Sequence, residues 1–111
     1  MRLSITILSL AMLAIPSAAE NGNYIVRGTG TESCAAWLAT TYSETAGADW
    51  VLGFWTGVSV GVREGKGGKV GSTTDNLGII GEIKKRCMTS PSAQLERTAL
   101  DVFVEFLKAK K

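Results

Sequence analysis

Two cysteines, Cys34 and Cys87, carry the most reactive side chains in this sequence, and no histidine accompanies them. A thiol can act as a nucleophile, as a metal ligand or as half of a disulfide. Catalysis by a serine or cysteine nucleophile would need an unusual lysine base, because histidine, the commonest general base, is missing. The ten carboxylates follow no spacing that groups them. The sequence therefore favours a protein that is not an enzyme and has no metal or other cofactor.

A glycine-rich stretch at residues 65–71, with Lys66 and Lys69, has the composition of a phosphate-binding loop. Its spacing does not fit, because three residues separate Gly61 from Gly65 where a P-loop needs four. The required serine or threonine after the lysine is also missing. We expect residues 63–74 to form a solvated connection. Weak attraction of an anion by its lysines is the alternative.

The N-terminus has the layout of an export signal. Arg2 precedes an apolar run over residues 3–15, Pro16 ends the run, and small residues lead up to Ala19. We expect residues 1–19 to be a signal peptide that is cleaved after Ala19. An uncleaved anchor helix is disfavoured, because the run is shorter than the roughly 20 residues that span a bilayer.

Removal of this signal from the 111-residue chain leaves 92 residues, which is enough for one small domain. The formal charge of +2 falls to +1 once Arg2 is lost. This balance argues against a nucleic-acid partner, which would normally require a clear basic excess. Hydrophobic residues make up 45% of the chain and charged residues 20%, a mixture typical of globular proteins.

Export also bears on the two cysteines. An exported protein folds in an oxidising compartment, where a single pair of cysteines has one way to form a disulfide. A Cys34–Cys87 bond would stabilise the fold by roughly 4 kcal/mol through the entropy of the unfolded chain. The alternative is a free reactive thiol, for which the sequence offers no neighbouring histidine.

Four helical patterns follow an arm at residues 20–30, which we expect to be flexible or to form one short edge strand. The first covers residues 31–43, where apolar positions recur at helical spacing from Cys34 through Trp37 to Tyr42. A break is predicted at residues 45–48. Asp49 then caps a second helix over residues 49–62.

The second helix is apolar on nearly all sides, which indicates burial or an apolar partner. Its glycines, Gly53, Gly57 and Gly61, recur every four residues and would let a neighbouring helix approach closely. Alternation at residues 58–62 leaves a strand as the competing interpretation of its end. Its aromatic residues are core or, where one is exposed, an anchor for a protein partner. The candidate partner-binding residues are Trp50, Phe54 and Trp55.

A third helix is predicted from Thr74 or Asp75 to Cys87, and a fourth from Ser90 with Pro91 in its first turn. In the fourth helix Leu95, Ala99, Val102, Phe103, Phe106 and Leu107 recur at clear amphipathic spacing. Both cysteines lie on the apolar faces of their helices. The predicted fold is all-α, a small single-domain four-helix bundle with one inter-helix disulfide.

The order of these features resembles the HdeA-like periplasmic proteins of Gram-negative bacteria. The similarity is carried by Cys34-Ala35-Ala36-Trp37-Leu38, by the Gly/aromatic segment at residues 50–57 and by the step from Cys87 to Pro91, followed by an amphipathic helix. Residues 31–111 would then be an HdeA-like domain. The layout is also similar to the related Rap/Tai-type immunity proteins, which protect against cell-wall amidases delivered by type VI secretion.

The resemblance implies a non-enzymatic periplasmic protein that binds other proteins, with a homodimer among the expected assemblies. In the stress-chaperone form its partners would be unfolding clients. Protonation of ten carboxylates would take the mature charge from +1 to about +11 in acid and favour opening through self-repulsion. In the immunity form the partner would be one toxin. An exported host-interaction protein is a third hypothesis. None of these implies membrane insertion after signal removal.

Overall fold

A computed structural model of the chain describes residues 19–21, 24–62 and 69–111. The described residues form a short hairpin, β1 (Ala19–Asn21) and β2 (Tyr24–Val26), and then a 3-10 turn at Gly28–Thr31. Four helices follow: α1 (Cys34–Trp37), α2 (Thr41–Gly61), α3 (Asn76–Thr89) and α4 (Leu95–Ala109). The prediction of an all-α fold with four helices and one inter-helix disulfide is confirmed.

The first two predicted helices have different boundaries in the structure. α1 is a single turn, and Thr41 and Tyr42, which were assigned to it, open α2. Thr40 caps α2 through a hydrogen bond from the Ser43 amide to its hydroxyl, and the Ser43 hydroxyl in turn accepts from the Thr40 amide. This reciprocal capping box satisfies two amides that a helix start leaves unpaired. The second helix therefore begins at Thr41, well before the predicted cap at Asp49.

The predicted break at residues 45–48 is also wrong, since α2 runs through it without interruption. Trp37 gives a physical reason, because its indole N–H donates to the Glu44 carbonyl at 2.9 Å and its ring lies against Gly47. A side chain on residue 47 would overlap the ring of Trp37, so Gly47 is used here for close packing. Gly53 and the residues after it are helical as far as Gly61, which removes the strand alternative at residues 58–61.

α3 begins where the sequence predicts, with the Asp75 carboxylate accepting from the Gly78 amide at 2.8 Å. α4 begins later than predicted, at Leu95 with Gln94 as its N-cap. The segment before it is not helical because its carbonyls accept from the start of α1. The Cys34 amide donates to the Ala93 carbonyl and the Ala35 amide to the Pro91 carbonyl. The prediction that Ser90 is the N-cap of the fourth helix is therefore wrong, and Ser90 is instead the C-cap of α3.

The core lies between α2, α3 and α4, with α1 closing one end. Cys34 and Cys87 form a disulfide of 2.08 Å that joins α1 to the end of α3, and both are buried. The predicted apolar face of α4 supplies much of the remaining core: Leu95, Ala99, Val102, Phe103 and Phe106 are all buried. No helix in the described part of the chain is both long and apolar enough to cross a membrane.

The N-terminal arm predicted at residues 20–30 contains ordered elements. β1 and β2 pair antiparallel, with Glu20 opposite Ile25 and Asn21 opposite Tyr24, and Val26 is buried. The sequence left open a flexible arm or one short edge strand. The structure has two short strands, which pair with each other. The predicted signal peptide lies outside the described residues, except for Ala19. Most of the glycine-rich loop, residues 63–68, also lies outside them.

Candidate protein-binding face

Helix α2 has an inner side and an outer side of very different composition. Gly47, Val51 and Trp55 are buried on the inner side, against the other helices. The opposite side is exposed at Gly53, Thr56, Gly57, Val60 and Gly61. These five positions recur at the helical spacing i, i+3, i+4, i+7 and i+8, so they share one stripe. We call this stripe the α2 outer face.

Trp55, one of the three candidate anchors, belongs to the core. It is 5% exposed, and its indole N–H donates to the Val70 carbonyl at 2.9 Å. Its ring meets Phe103 and Phe106 edge-on, with centroid distances of 4.9 and 5.5 Å. A side chain held in this way fixes α2 against α4, and its ring is covered by the protein itself.

Trp50 and Phe54, the other two candidates, lie half-buried at the border between the inner side and the α2 outer face. Their rings stack with centroids 5.0 Å apart and planes 13° from parallel. The Trp50 indole N–H donates to the Arg27 carbonyl at 2.9 Å, and the ring covers Gly30. Trp50 therefore holds the N-terminal segment, while the stack gives the outer face an aromatic edge.

The glycines of the α2 outer face have a different role from the one predicted. A Cβ atom built on Gly53, Gly57 or Gly61 would meet nothing within 4 Å. The expectation that another helix of this domain packs on the stripe is therefore wrong for the described residues. Val60, in the same stripe, is 79% exposed. The stripe is a smooth surface on which the backbone of α2 is open to solvent.

The charge pattern adds to this geometry. From Trp50 to Val62 the sequence has no charged residue, although the α2 outer face is exposed. A partner can cover such a surface without removing charges from water, which is the costly part of forming an interface. Aromatic side chains at its edge are of the type that dominates binding energy at protein interfaces.

Glu96 is a buried carboxylate that was not among the predicted functional residues. It is fully buried in the first turn of α4, and its Oε1 accepts a 2.6 Å hydrogen bond from the Tyr24 hydroxyl of β2. This hydrogen bond raises the pKa of Tyr24 above its ordinary value. One signal was available, since Glu96 lies three and seven residues before Ala99 and Phe103, on the apolar face of α4.

The cysteine and carboxylate side chains of the described residues offer neither a free thiol nor a metal-binding cluster. Both cysteines are in the disulfide, and no group of three acidic or cysteine side chains in the described ranges is placed to hold a metal ion.

Of the glycine-rich loop, residues 69–71 are described. Gly71 has a positive φ of 87° and its amide donates to the Lys111 carbonyl at 3.0 Å, so this end of the loop is bound to the C-terminal residues.

Comparison of the chain with protein-family models, with curated proteins and with solved structures finds no match. The likeness to HdeA-like and Rap/Tai-type proteins therefore depends on the sequence features quoted for it alone.

Proposed function

We propose that this protein is a non-enzymatic, exported binding protein of the periplasm that captures apolar segments of other polypeptides, in the manner of a stress chaperone. The observation that carries the proposal is the α2 outer face, which is exposed, uncharged and smooth. Its glycines would let the backbone of a bound segment come close to α2, and the Trp50–Phe54 stack would hold apolar side chains at its edge.

The disulfide and the predicted signal peptide support the proposed location. A Cys34–Cys87 bond persists in an oxidising compartment such as the periplasm and would be rare in the cytosol. The same bond joins α1 to α3 and leaves α2 without a covalent crosslink. The binding helix is held instead by packing, by hydrogen bonds and by the ion pair between Glu44 of α2 and Lys84 of α3. Unfolding clients are the partners that this proposal names.

A second candidate function is one-to-one inhibition of a secreted toxin, in the manner of a Rap/Tai-type immunity protein. It is favoured by the fixed position of α2, which Trp37, Trp50 and Trp55 tie to three different segments by indole hydrogen bonds. A binding surface that is already ordered loses little entropy when a single complementary partner binds.

The test compares two glutamate substitutions at exposed helical glycines. Gly57→Glu places a charge in the centre of the α2 outer face, whereas Gly81→Glu places the same charge on α3. At both positions a Cβ atom meets nothing within 4 Å, so both variants should fold, with a gain in helix propensity of up to about 1 kcal/mol.

Aggregation of a denatured client enzyme is followed by light scattering from pH 2 to pH 7, with purified mature protein. We expect wild type and Gly81→Glu to suppress aggregation. Gly57→Glu should need roughly tenfold more protein at about pH 6–7, where the new glutamate is charged, because a charge buried against an apolar segment costs more than about 1.4 kcal/mol. Where wild type suppresses aggregation only in acid, Gly57→Arg and Gly81→Arg, which stay charged there, replace the glutamate pair. Absence of suppression at every pH, or equal activity of the two variants at a pH where the new side chain is charged, would overturn the chaperone proposal.

The immunity alternative is read from the same pair of variants. A stable 1:1 complex with a cell-wall amidase encoded beside this gene, lost in Gly57→Glu alone and accompanied by inhibition of the amidase, would replace the chaperone proposal. Sedimentation of the free protein at the assay concentrations shows whether a homodimer buries the same face, since such a dimer would dissociate in Gly57→Glu.

A further inference from the structure

A second concave site lies away from the α2 outer face, between the end of α2, residues 69–72 and the C-terminal end of α4. Its volume is about 650 Å³. Small-molecule sites in proteins commonly have volumes of about 300–1,000 Å³. The site is therefore large enough for an organic ligand.

The floor of this cavity is apolar. It is formed by Val62, Val70, Phe106 and Leu107, of which Val70 and Phe106 are buried and the other two half-buried. Trp55 lies directly beneath, in contact with Phe106 and hydrogen-bonded to Val70. An apolar chain laid on this floor would be stabilised by about 25 cal/mol for each Å² of apolar surface removed from water.

Three backbone carbonyls of the floor are already paired. The Val70 carbonyl accepts from the Trp55 indole, the Phe106 carbonyl from the Lys111 amide and the Leu107 carbonyl from the Lys110 amide. A peptide bound here would bring amide groups that find few partners, and burial of unpaired amides is costly. A hydrocarbon chain has no such groups, so the floor favours an acyl chain over a polypeptide.

The rim of the cavity is basic. Lys69, Lys110 and Lys111 line it, and the Lys111 ammonium group lies 5.6 Å from the centroid of the Phe106 ring. No acidic side chain is among the described residues that line it. A smaller cavity of about 300 Å³ on the other side of Phe106 and Lys111 is lined by Glu82 and threonines. An anionic headgroup is therefore favoured at the lysine rim and disfavoured beside Glu82.

We propose that this cavity binds a single-chain amphiphile of the fatty-acid class, with its acyl chain on the Val62–Val70–Phe106–Leu107 floor and its carboxylate at the lysine rim. This site is separate from the α2 outer face, and its occupancy does not depend on the function proposed above.

Laurate, kept below its micelle concentration at pH 7.5, is titrated into the mature protein by calorimetry, and the binding site is located from NMR shifts of the Val62, Val70 and Leu107 methyl groups. We expect saturable 1:1 binding that is weaker at higher salt, because the rim charges are exposed and screened. Dodecanol, which lacks the charge, and hexanoate, which lacks the chain length, should both bind more weakly than laurate.

The matched variants remove exposed charges that the fold does not need. Lys69→Gln with Lys110→Gln should weaken laurate binding by about three- to tenfold, the range expected for two partly exposed charge pairs. Lys85→Gln, on α3, should leave the affinity unchanged. The proposal is overturned if binding does not saturate, if the methyl shifts lie elsewhere, if dodecanol binds as well as laurate, or if Lys85→Gln weakens binding as much as the double variant.

Discussion

At the scale of single residues, the contact between Tyr24 and Glu96 joins the N-terminal hairpin to the helical body. A fully buried carboxylate needs hydrogen-bond donors, because burial of an unpaired charge costs far more than burial of a neutral group. The Tyr24 hydroxyl is one such donor, at 2.6 Å, and it comes from a residue 72 positions earlier in the chain. The hairpin is thus attached to α4 by a polar contact, and its last residue, Val26, is buried.

Tyr24→Phe tests this attachment through pH. Since Glu96 raises the pKa of Tyr24 in the folded state above the ordinary 10.0, the stabilisation is fully present below about pH 10 and is lost as the pH rises through the folded-state pKa. We expect the substitution to cost about 1 kcal/mol at pH 8, because Tyr24 is partly exposed and solvent screens the contact. The difference from wild type should shrink above pH 10, as measured by urea unfolding.

Tyr42→Phe is the control for this experiment, since Tyr42 is 85% exposed at the start of α2. Its effect on stability should be small, because its hydroxyl lies in solvent. A cost for Tyr24→Phe that stays constant between pH 8 and pH 11 would show that the hydroxyl contributes through something other than its bond to Glu96.

The glycines of α2 show that residue type alone does not predict which side of a helix faces the core. Gly47 and Gly57 are both interior glycines of α2, yet Gly47 makes room for the Trp37 ring and Gly57 faces open solvent. The four-residue spacing of Gly53, Gly57 and Gly61 correctly places them on one stripe. It does not tell whether the stripe faces inward, because the neighbouring positions are apolar on both sides of the helix. Orientation was decided by distant partners, such as Phe103 and Phe106 for Trp55.

At the scale of elements, α4 is the helix whose buried face the sequence predicted best, because its apolar positions follow one clean period, although its start was placed too early. α1 could not be predicted in the same way. Its single turn is held by amides that donate to Pro91 and Ala93, residues that lie more than fifty positions away. Local periodicity carries no information about such partners, so the pattern from Cys34 to Tyr42 was interpreted as one helix although the chain bends between Trp37 and Thr41.

The start of α2 can be tested by two substitutions. Thr40→Ala removes the capping box and should lower the free energy of unfolding by about 1 kcal/mol. Asp49→Ala, in the middle of an exposed helical turn, should change it by less than about 0.5 kcal/mol or raise it slightly, because alanine has the higher helix propensity. Chemical denaturation of both variants gives the comparison. The reverse order of effects would place the helix start at Asp49 and contradict a continuous α2.

At the scale of the whole molecule, the disulfide and a small set of backbone hydrogen bonds connect the same two regions. Cys34 is bonded to Cys87 through sulfur, while its amide donates to Ala93 at 2.8 Å and the Leu95 amide donates to Glu32 at the same distance. The beginning of the helical domain is thereby attached to the chain between α3 and α4. The pairing was predicted from the sequence because two cysteines in an oxidising compartment have one partner each. The backbone bonds around it were not.

The disulfide should therefore be the largest single contribution to stability in this small domain. The bond closes a loop with a sequence separation of 53, for which the chain-entropy model gives about 4 kcal/mol, in a protein whose total stability we expect to be about 5–15 kcal/mol. Cys34→Ala with Cys87→Ala should lower the urea midpoint by about 2–4 M, given a slope near 1–2 kcal/mol/M. Dithiothreitol should produce a similar loss in wild type and none in the double variant. A loss below about 1 kcal/mol would contradict this expectation. It would mean that removal of the disulfide gives the unfolded chain little extra freedom. The hydrogen bonds from the Cys34, Ala35 and Leu95 amides would then hold the two regions together without the sulfur bond.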